Sequence, residues 1–325
     1  MTRRHFPEIK IIYYQAFKLH FYRIRNPQSQ IRNPLKSYLQ LMRPANLITA
    51  FADILAGMAI AGLHFTTDNY FWGNAILLSI STVCLYGGGV IFNDVFDAEL
   101  DAVERPERAI PSGRVSKQNA SFLGISLLFV GILTAFMVSQ MSGMFAIIIS
   151  ILALFYDRFG KHNNFFGPIN MGLCRGVNLL LGISIINPSV YEWWWVSIVP
   201  IIYISAITMI SRGEVHGGNK NHLYFAGFLY TLVSIFQGFV AFQLGNITLT
   251  ILFILLHIFL IFKPLIQAIN NPIGSNIGKA VKAGVLSLII MDAAWVAASG
   301  NWRVAICVLV LLPISMRIGK YFAVT

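Results

Sequence analysis

ITLTILFILLHIFLIFKPLIQA, residues 247–268, is the stretch on which the fold turns. It holds no acid, a single lysine and a single histidine. As a helix rising ~1.5 Å per residue it is long enough to cross a ~30 Å hydrocarbon layer. Working outward, blocks of the same character recur at about 46–65, 72–92, 119–139, 142–160, 166–186, 193–211, 222–243, 278–298 and 302–319. Lipid cannot satisfy free backbone groups, so every block is expected to be helical. Only a short gap at Gly300–Asn301 separates the last two, which leaves nine or ten spans. Composition agrees: of 325 residues, 56% are hydrophobic and 11% charged, and mean hydropathy is +0.68. A soluble domain carries about 25% charged residues. The expected fold is all-α, a polytopic transmembrane helical bundle around a central cavity that faces the cytoplasm.

The N-terminal residues 1–43 hold nine Lys/Arg and one acid, Glu8. By the positive-inside rule this basic segment is cytoplasmic, and residues 44–325 form the transmembrane domain. Within it, His5–Arg25 interleaves Ile, Tyr and Phe with Lys and Arg, the pattern of an interfacial helix lying on anionic lipid. The net charge of +11 resides at span ends, so membrane lipids rather than nucleic acid are its partners. Threading the spans puts 93–118, 158–166, 212–221, 269–278 and the C-terminal tail on the cytoplasmic side. The outward loops hold Asp68, Trp72, Glu192 and Trp193–Trp195, an aromatic belt. Cys84, Cys174 and Cys307 fall inside spans without metal-ligand spacing and read as small apolar residues. No secretory signal is visible.

Six of the thirteen acids lie between Asp94 and Glu107. Asn93, Asp97 and Asp101 stand at i, i+4 and i+8, so they project from one helix face, while Asp94 and Glu99 are expected to point elsewhere. Three oxygen donors at the mouth of a span repel one another unless a cation lies between them, and hard oxygen donors suit Mg²⁺ completed by substrate phosphates. Pro106 ends the helix near Arg105. Arg105, Arg108 and Arg114 follow on a loop broken by Pro111 and Gly113, and guanidinium groups next to metal-binding acids suit a diphosphate. The bland alternative is a solvated loop with internal ion pairs.

N-D-x-x-D-x-x-x-D followed by R-x-x-R-x-x-P-S-G resembles the first aspartate motif of the UbiA superfamily, intramembrane prenyltransferases that move an isoprenoid from its diphosphate to an acceptor. Arg43-Pro44-Ala45-Asn46 is similar to that family's opening motif, and the order of spans and loops agrees over nearly the whole chain. The resemblance implies Asn93, Asp97 and Asp101 as metal ligands with Asp94 in support, and Arg43 and Asn46 with the substrate. It also implies that Lys161, in Tyr156-Asp157-Arg158-Phe159-Gly160-Lys161, meets the diphosphate. The alternatives for Lys161 are a positive-inside anchor or an i, i+4 pair with Asp157. Arg175 sits about ten residues into a span, where an unpaired charge costs roughly 2.5–3.5 kcal/mol. Asn170, Cys174 and Asn178 form a stripe beside it. We expect Asn170, Arg175 and Asn178 to line a polar cavity; the alternative for Arg175 is a buried ion pair with Asp53 or Asp292. Gly172 and Gly176 make a G-x-x-x-G for close helix approach.

The family places a second aspartate cluster between spans 6 and 7, where this chain has Ser211-Arg212-Gly213-Glu214-Val215-His216-Gly217-Gly218. Only Glu214, with or without His216, offers a second metal ligand, and Arg212 is expected to supply part of the positive charge at the diphosphate. This wording, with G-P-I-N-M-G-L-C-R-G-V-N, resembles the EboC-like branch. The resemblance implies Mg²⁺-dependent ionisation of an isoprenyl diphosphate, with Asp97, Asp101, Lys161 and Arg175 central to catalysis. Arg105, Arg108 and Arg212 would bind substrate, and the acceptor would be lipophilic or a small aromatic. The expected location is the bacterial inner membrane with the site facing the cytoplasm. Two other classes remain, a non-catalytic lipid binder and a transporter. No inverted repeat supports the transporter, and no H-E-x-x-H or G-x-S-x-G supports a hydrolase.

Overall fold

The structure, a computed structural model, describes residues 34–62, 69–214 and 217–322. The expected amphipathic helix over His5–Arg25, Asp68 and His216 lie outside the described residues. Among those described there is no strand. The helices are α1 (Pro34–Met42), α2 (Pro44–Ile60), α3 (Asn69–Phe96), α4 (Ala98–Glu104), α5 (Lys117–Val138), α6 (Gln140–Arg158), α7 (Phe166–Ile183), α8 (Asn187–Trp193), α9 (Ile198–Ser211), α10 (Lys220–Gln243), α11 (Ile247–Asn270), α12 (Gly274–Ala298) and α13 (Trp302–Ile318).

Among the described residues eight helices are long and apolar enough to cross a membrane, with α8 and α9 joined into one span, Asn187–Ser211. The remaining two of the ten blocks are α2, which is shorter, and α7, whose Asn170, Arg175 and Asn178 lower its hydropathy. This is an integral membrane protein that crosses repeatedly. The first span begins at Pro44 and ends at Ile60, earlier than the expected 46–65.

Local chemistry sets the helix ends. Ser116 and Ser139 cap α5 and α6, accepting from Asn119 N–H at 3.1 Å and Ser142 N–H at 3.0 Å. Ser139 alone, in extended backbone, turns α5 back into α6. Lipid-facing residues repeat every two turns on α5, where Phe122, Phe129 and Phe136 are all exposed. Of the expected aromatic belt, Trp72 and Trp194 are exposed, at the end of the bundle away from the acidic segment, whereas Trp193 and Trp195 are half-buried against the core.

The bundle closes around α2, α7 and α12. Helix α12 packs on α2, α9, α11 and α13, and its run Leu288–Ala298 is buried throughout. Contact between α2 and α7 depends on small residues. A Cβ on Gly57 would lie 2.5 Å from the Leu179 carbonyl oxygen, and one on Gly182 would lie 2.7 Å from that of Ile54. The Gly172/Gly176 pair does the same against α9, where a Cβ on Gly172 would meet the Ile201 carbonyl oxygen at 2.4 Å. Backbone cannot yield as a side-chain end can. Gly57→Val is therefore expected to cost about 1–3 kcal/mol through overpacking, seen as a lower melting temperature of the purified protein in detergent.

Candidate active site

The acidic segment leaves the bundle at the end of α3. Its helix does not run unbroken from Asn93 to Arg105 as expected: Asp97 forms a turn between α3 and α4. The i to i−4 bonding nevertheless continues across the break, with Asp97 N–H on the Asn93 carbonyl at 3.0 Å and Asp101 N–H on that of Asp97 at 2.8 Å. Asn93, Asp97 and Asp101 thus keep helical register along one side. α4 stops at Glu104, ahead of Pro106, as expected.

Three separate elements carry cations to these acids. At the α1–α2 junction, Pro44 keeps the preceding residue out of helix. Arg43 takes a left-handed conformation, φ 47 and ψ 66, which costs a non-glycine residue roughly 1–2 kcal/mol. The reward for that strain is aim. The Arg43 guanidinium donates to Asp94 at 2.9 Å and reaches Asn93 Oδ1 at 3.5 Å. From the loop after α4, Arg108 donates to Asp101 at 2.7 Å and to Asp94 at 3.2 Å. From the short turn after α6, Lys161 pairs with Asp97. Asp94 therefore does not point away: it stands seven residues, two helical turns, before Asp101, and Arg108 bridges the two.

The loop that delivers Arg108 is itself anchored. Gly113 adopts φ 76, and Val115 N–H closes onto the Ala109 carbonyl at 3.1 Å. Arg114 holds Gln40 of α1 at 2.7 Å and the Glu107 carbonyl at 2.6 Å, so it fastens the loop and meets no acid of the segment. Arg212 plays a similar part on the other side. It pairs with Asn164 and donates to the Lys161 and Asn163 carbonyls at 3.2 and 2.6 Å. Glu214, half-buried, lies within the field of Arg105.

Burial lifts the Asp101 carboxyl above its ordinary value, against the pull of Arg108. Burial likewise raises Glu214, against the pull of Arg105. Both groups lie outside the membrane-spanning helices.

One member of the site was not singled out from sequence. Asp157, in the last turn of α6 and 4% exposed, accepts from Asn93 Nδ2 at 2.9 Å. Its i, i+4 spacing to Lys161 was visible, but Lys161 instead turns to Asp97. The only available signal was an acid closing an apolar span one turn before a lysine.

Asn170, Arg175 and Asn178 are buried, at 6%, 6% and 5% exposure, in contacts between helices. Asn170 donates to the Leu152 carbonyl of α6 at 2.9 Å. Arg175 pairs with Thr49, meets Asp53 at 3.0 Å and lies over the Tyr86 ring at 5.5 Å. Asn178 donates to Asp53 at 2.9 Å and accepts from Thr82 at 2.7 Å. Of the two acids considered for Arg175, Asp53 is the direct partner. Asn46 is buried one turn above Arg43 on α2.

Among the described residues, no three His, Cys, Asp or Glu side chains are gathered closely enough to hold a metal ion. The donor chemistry does suit a hard divalent cation, because Asn93, Asp97, Asp101 and Asp157 offer only oxygen. What keeps the carboxylates apart is that each already faces a basic or amide side chain.

Fold and site together define a polytopic helical membrane protein with an acid–base cluster at one mouth of its bundle. Residues 51–270 match the model of the UbiA prenyltransferase family; the match covers more than half of the chain, which belongs to that family. The digeranylgeranylglyceryl phosphate synthase of Ignicoccus hospitalis is 30% identical over 188 residues, 56% of this chain and 58% of that protein. The chain thus spans little more than half the length of the curated relatives it matches. A UbiA homologue from Aeropyrum pernix shares the fold with TM-score 0.63 at 14% identity, covering 76% of this chain and 96% of that one. A homologue from Archaeoglobus fulgidus bound to GPP and Mg²⁺ has TM-score 0.56 at 16% identity, covering 78% and 99%.

Proposed function

We propose that this protein is a Mg²⁺-dependent intramembrane prenyltransferase that ionises an isoprenyl diphosphate and transfers the prenyl group to an acceptor. The observation that carries this reading is the pairing of Asp94, Asp97 and Asp101 with Arg43, Arg108 and Lys161, brought from three separate segments. Such a site accepts a metal diphosphate by exchange of partners. The basic side chains turn from carboxylate to phosphate oxygen, and the freed carboxylates turn to the cation. Asn93, Asp97 and Asp101 would hold Mg²⁺, with Asp94 and Asp157 beside them and Glu214 as the second-motif ligand. Bound there, Mg²⁺ would neutralise the charge developing on the leaving diphosphate.

The chain's own residues do the rest. Once turned to the phosphates, Lys161, Arg43 and Arg108 stabilise the departing diphosphate as charged donors, Arg105 adds a charge at the rim, and Arg212 holds the Lys161 turn in place. The names of the relatives and the GPP and Mg²⁺ bound to the Archaeoglobus homologue support the reading. The wording of the third segment places the chain, in our reading, near the EboC-like branch. The basic N-terminal segment favours a site facing the cytoplasm, in a bacterial inner membrane. A non-catalytic diphosphate-lipid binder is the second reading, favoured by the single carboxylate, Glu214, where an aspartate cluster is usual.

The test is turnover of radiolabelled geranylgeranyl or farnesyl diphosphate in nanodiscs with Mg²⁺. Release of pyrophosphate is the expected result; retention of intact diphosphate lipid would make the protein a binder. Excess EDTA should abolish both binding and release. Because the carboxylates are already paired, Mg²⁺ and diphosphate should each strengthen the other's binding, by the same factor in both directions. Titration of either ligand with and without the other measures this.

Acidification should act in two directions. Asp101 and Glu214 have raised folded-state values, so the cost of burying their charge is present above those values and is relieved as pH falls through them. The melting temperature of the ligand-free protein should therefore hold or rise slightly as the medium is acidified through the range where these carboxyls take up protons. Affinity for Mg²⁺ should fall over the same window, because protons compete for the same oxygens.

A further inference from the structure

Asn93 differs from the other oxygen donors of the acidic face because it is an amide among acids. Its side chain can turn either a carbonyl oxygen or an NH₂ group towards a cation, and only the oxygen is a ligand. A carboxylate at this position would face no such choice. Two neighbours settle it for the amide. Asn93 Nδ2 donates to Asp157 Oδ1 at 2.9 Å, and Asn93 Oδ1 faces the Arg43 guanidinium at 3.5 Å. A carboxylate oxygen accepts and a guanidinium only donates, so both partners select the same amide rotamer. When Arg43 turns to phosphate, as the proposed exchange requires, Asp157 still holds the amide.

That hold is built into the packing of α3 on α6. Gly89 and Ala153 stand one turn before Asn93 and Asp157, and a Cβ on Gly89 would lie 3.2 Å from that of Ala153. The two helices therefore pass close together just inside the Asn93–Asp157 contact. One turn further out, Lys161 pairs with Asp97. The i, i+4 step is the same on both segments, 93 to 97 and 157 to 161, so two rungs join them. The rungs differ in exposure and charge. Asp157 is 4% exposed, whereas the Lys161 and Asp97 side chains are 15% and 19% exposed. The outer rung has a lysine to give to a diphosphate, and the inner rung, an amide on a carboxylate, has no cation to give.

Resting on the function proposed above, we infer that Asp157 is a positioning residue, which orients the Asn93 amide so that its oxygen rather than its nitrogen meets the divalent cation. Asp157 is not itself a ligand. Partners of this kind fix the orientation of metal ligands, and their loss weakens metal binding by about 10–100-fold. The role also accounts for an amide at residue 93. An aspartate there would stand at hydrogen-bond distance from Asp157, where like charges disfavour one another.

The experiment titrates the full chain in nanodiscs with Mn²⁺, a spectroscopic stand-in for Mg²⁺, and reads the free ion by electron paramagnetic resonance without any turnover. Asp157→Leu, which removes the acceptor, is expected to weaken Mn²⁺ binding by about 10–100-fold. Asp157→Asn keeps an accepting oxygen without the charge and should stay within about threefold of wild type. In the Asn93→Asp background the two ligand oxygens are equivalent, so adding Asp157→Leu should cost no more than about threefold. Melting temperatures without metal show which variants are folded, and Asp157→Ala gives the same reading where the leucine is not accommodated. A loss in Asp157→Asn as large as in Asp157→Leu would make charge the cause and overturn the inference. Equal losses in the Asn93 and Asn93→Asp backgrounds would make Asp157 a ligand and overturn it too, as would unchanged affinity in Asp157→Leu. Wild type that binds no Mn²⁺ removes the metal site and this role together. The expected pattern of losses without any release of pyrophosphate from geranylgeranyl diphosphate would leave the role standing and count against the prenyltransferase reading alone.

Discussion

Asp97→Ala is expected to lower prenyl transfer by about 10³-fold, with the helical fold intact. Asp97 is the turn residue between α3 and α4 and is only half-buried, so its loss opens no core cavity. Its carboxylate does two jobs in the proposed site. Before substrate arrives it holds Lys161, and afterwards it is a metal oxygen. Removal of one group that stabilises a developing anion in a dry site costs 10²–10³ in rate, and weakening the metal adds to that. Lys161→Ala should give a smaller loss, because Arg43 and Arg108 still face the leaving group. Single-turnover assays with radiolabelled geranylgeranyl diphosphate at saturating Mg²⁺ measure both. Near wild-type turnover by Asp97→Ala would remove the metal role assigned to the acidic segment.

The second large effect is on stability. Arg175→Ala is expected to cost about 3–5 kcal/mol, the usual consequence of removing one partner of a buried ion pair. Asp53 and Asp292 would then face each other without a cation, both almost fully buried, and Tyr86 and Thr49 would lose their guanidinium contacts. Asp53→Asn alone should be milder, since the amide keeps its place beside Asn178. In the double variant part of the loss should return, because the uncompensated charge is gone. Thermal unfolding of the four proteins in one detergent reads the coupling.

Apolar block length placed a helix in each of the ten blocks, eight of them long and apolar enough to cross a membrane, because hydrocarbon thickness and the absence of water dictate both length and conformation. The i, i+4, i+8 spacing of Asn93, Asp97 and Asp101 likewise made the acidic face legible, and the break at Asp97 did not disturb it. Other features depended on contacts between distant segments. Nothing local to Arg43 says that a left-handed backbone aims it at Asp94. The seven-residue step from Asp94 to Asp101 was present in the sequence, but only Arg108 gives it meaning. Asp157 was hidden because Lys161, the lysine one turn on, takes its partner, Asp97, from a distant segment. The choice between Asp53 and Asp292 for Arg175 needed the packing of α2 and α12 around α7, which single-helix periodicity cannot supply.

The account stands on the exchange of partners at the acidic mouth. A structure of the protein in nanodiscs with Mg²⁺ and a non-hydrolysable geranylgeranyl diphosphate analogue tests it most directly. The predicted result is metal at about 2.1 Å from oxygens of Asp97 and Asp101, with Lys161 and Arg108 moved onto the phosphates. A diphosphate bound elsewhere, with Lys161 still on Asp97 and Arg108 still bridging Asp94 and Asp101, would contradict it.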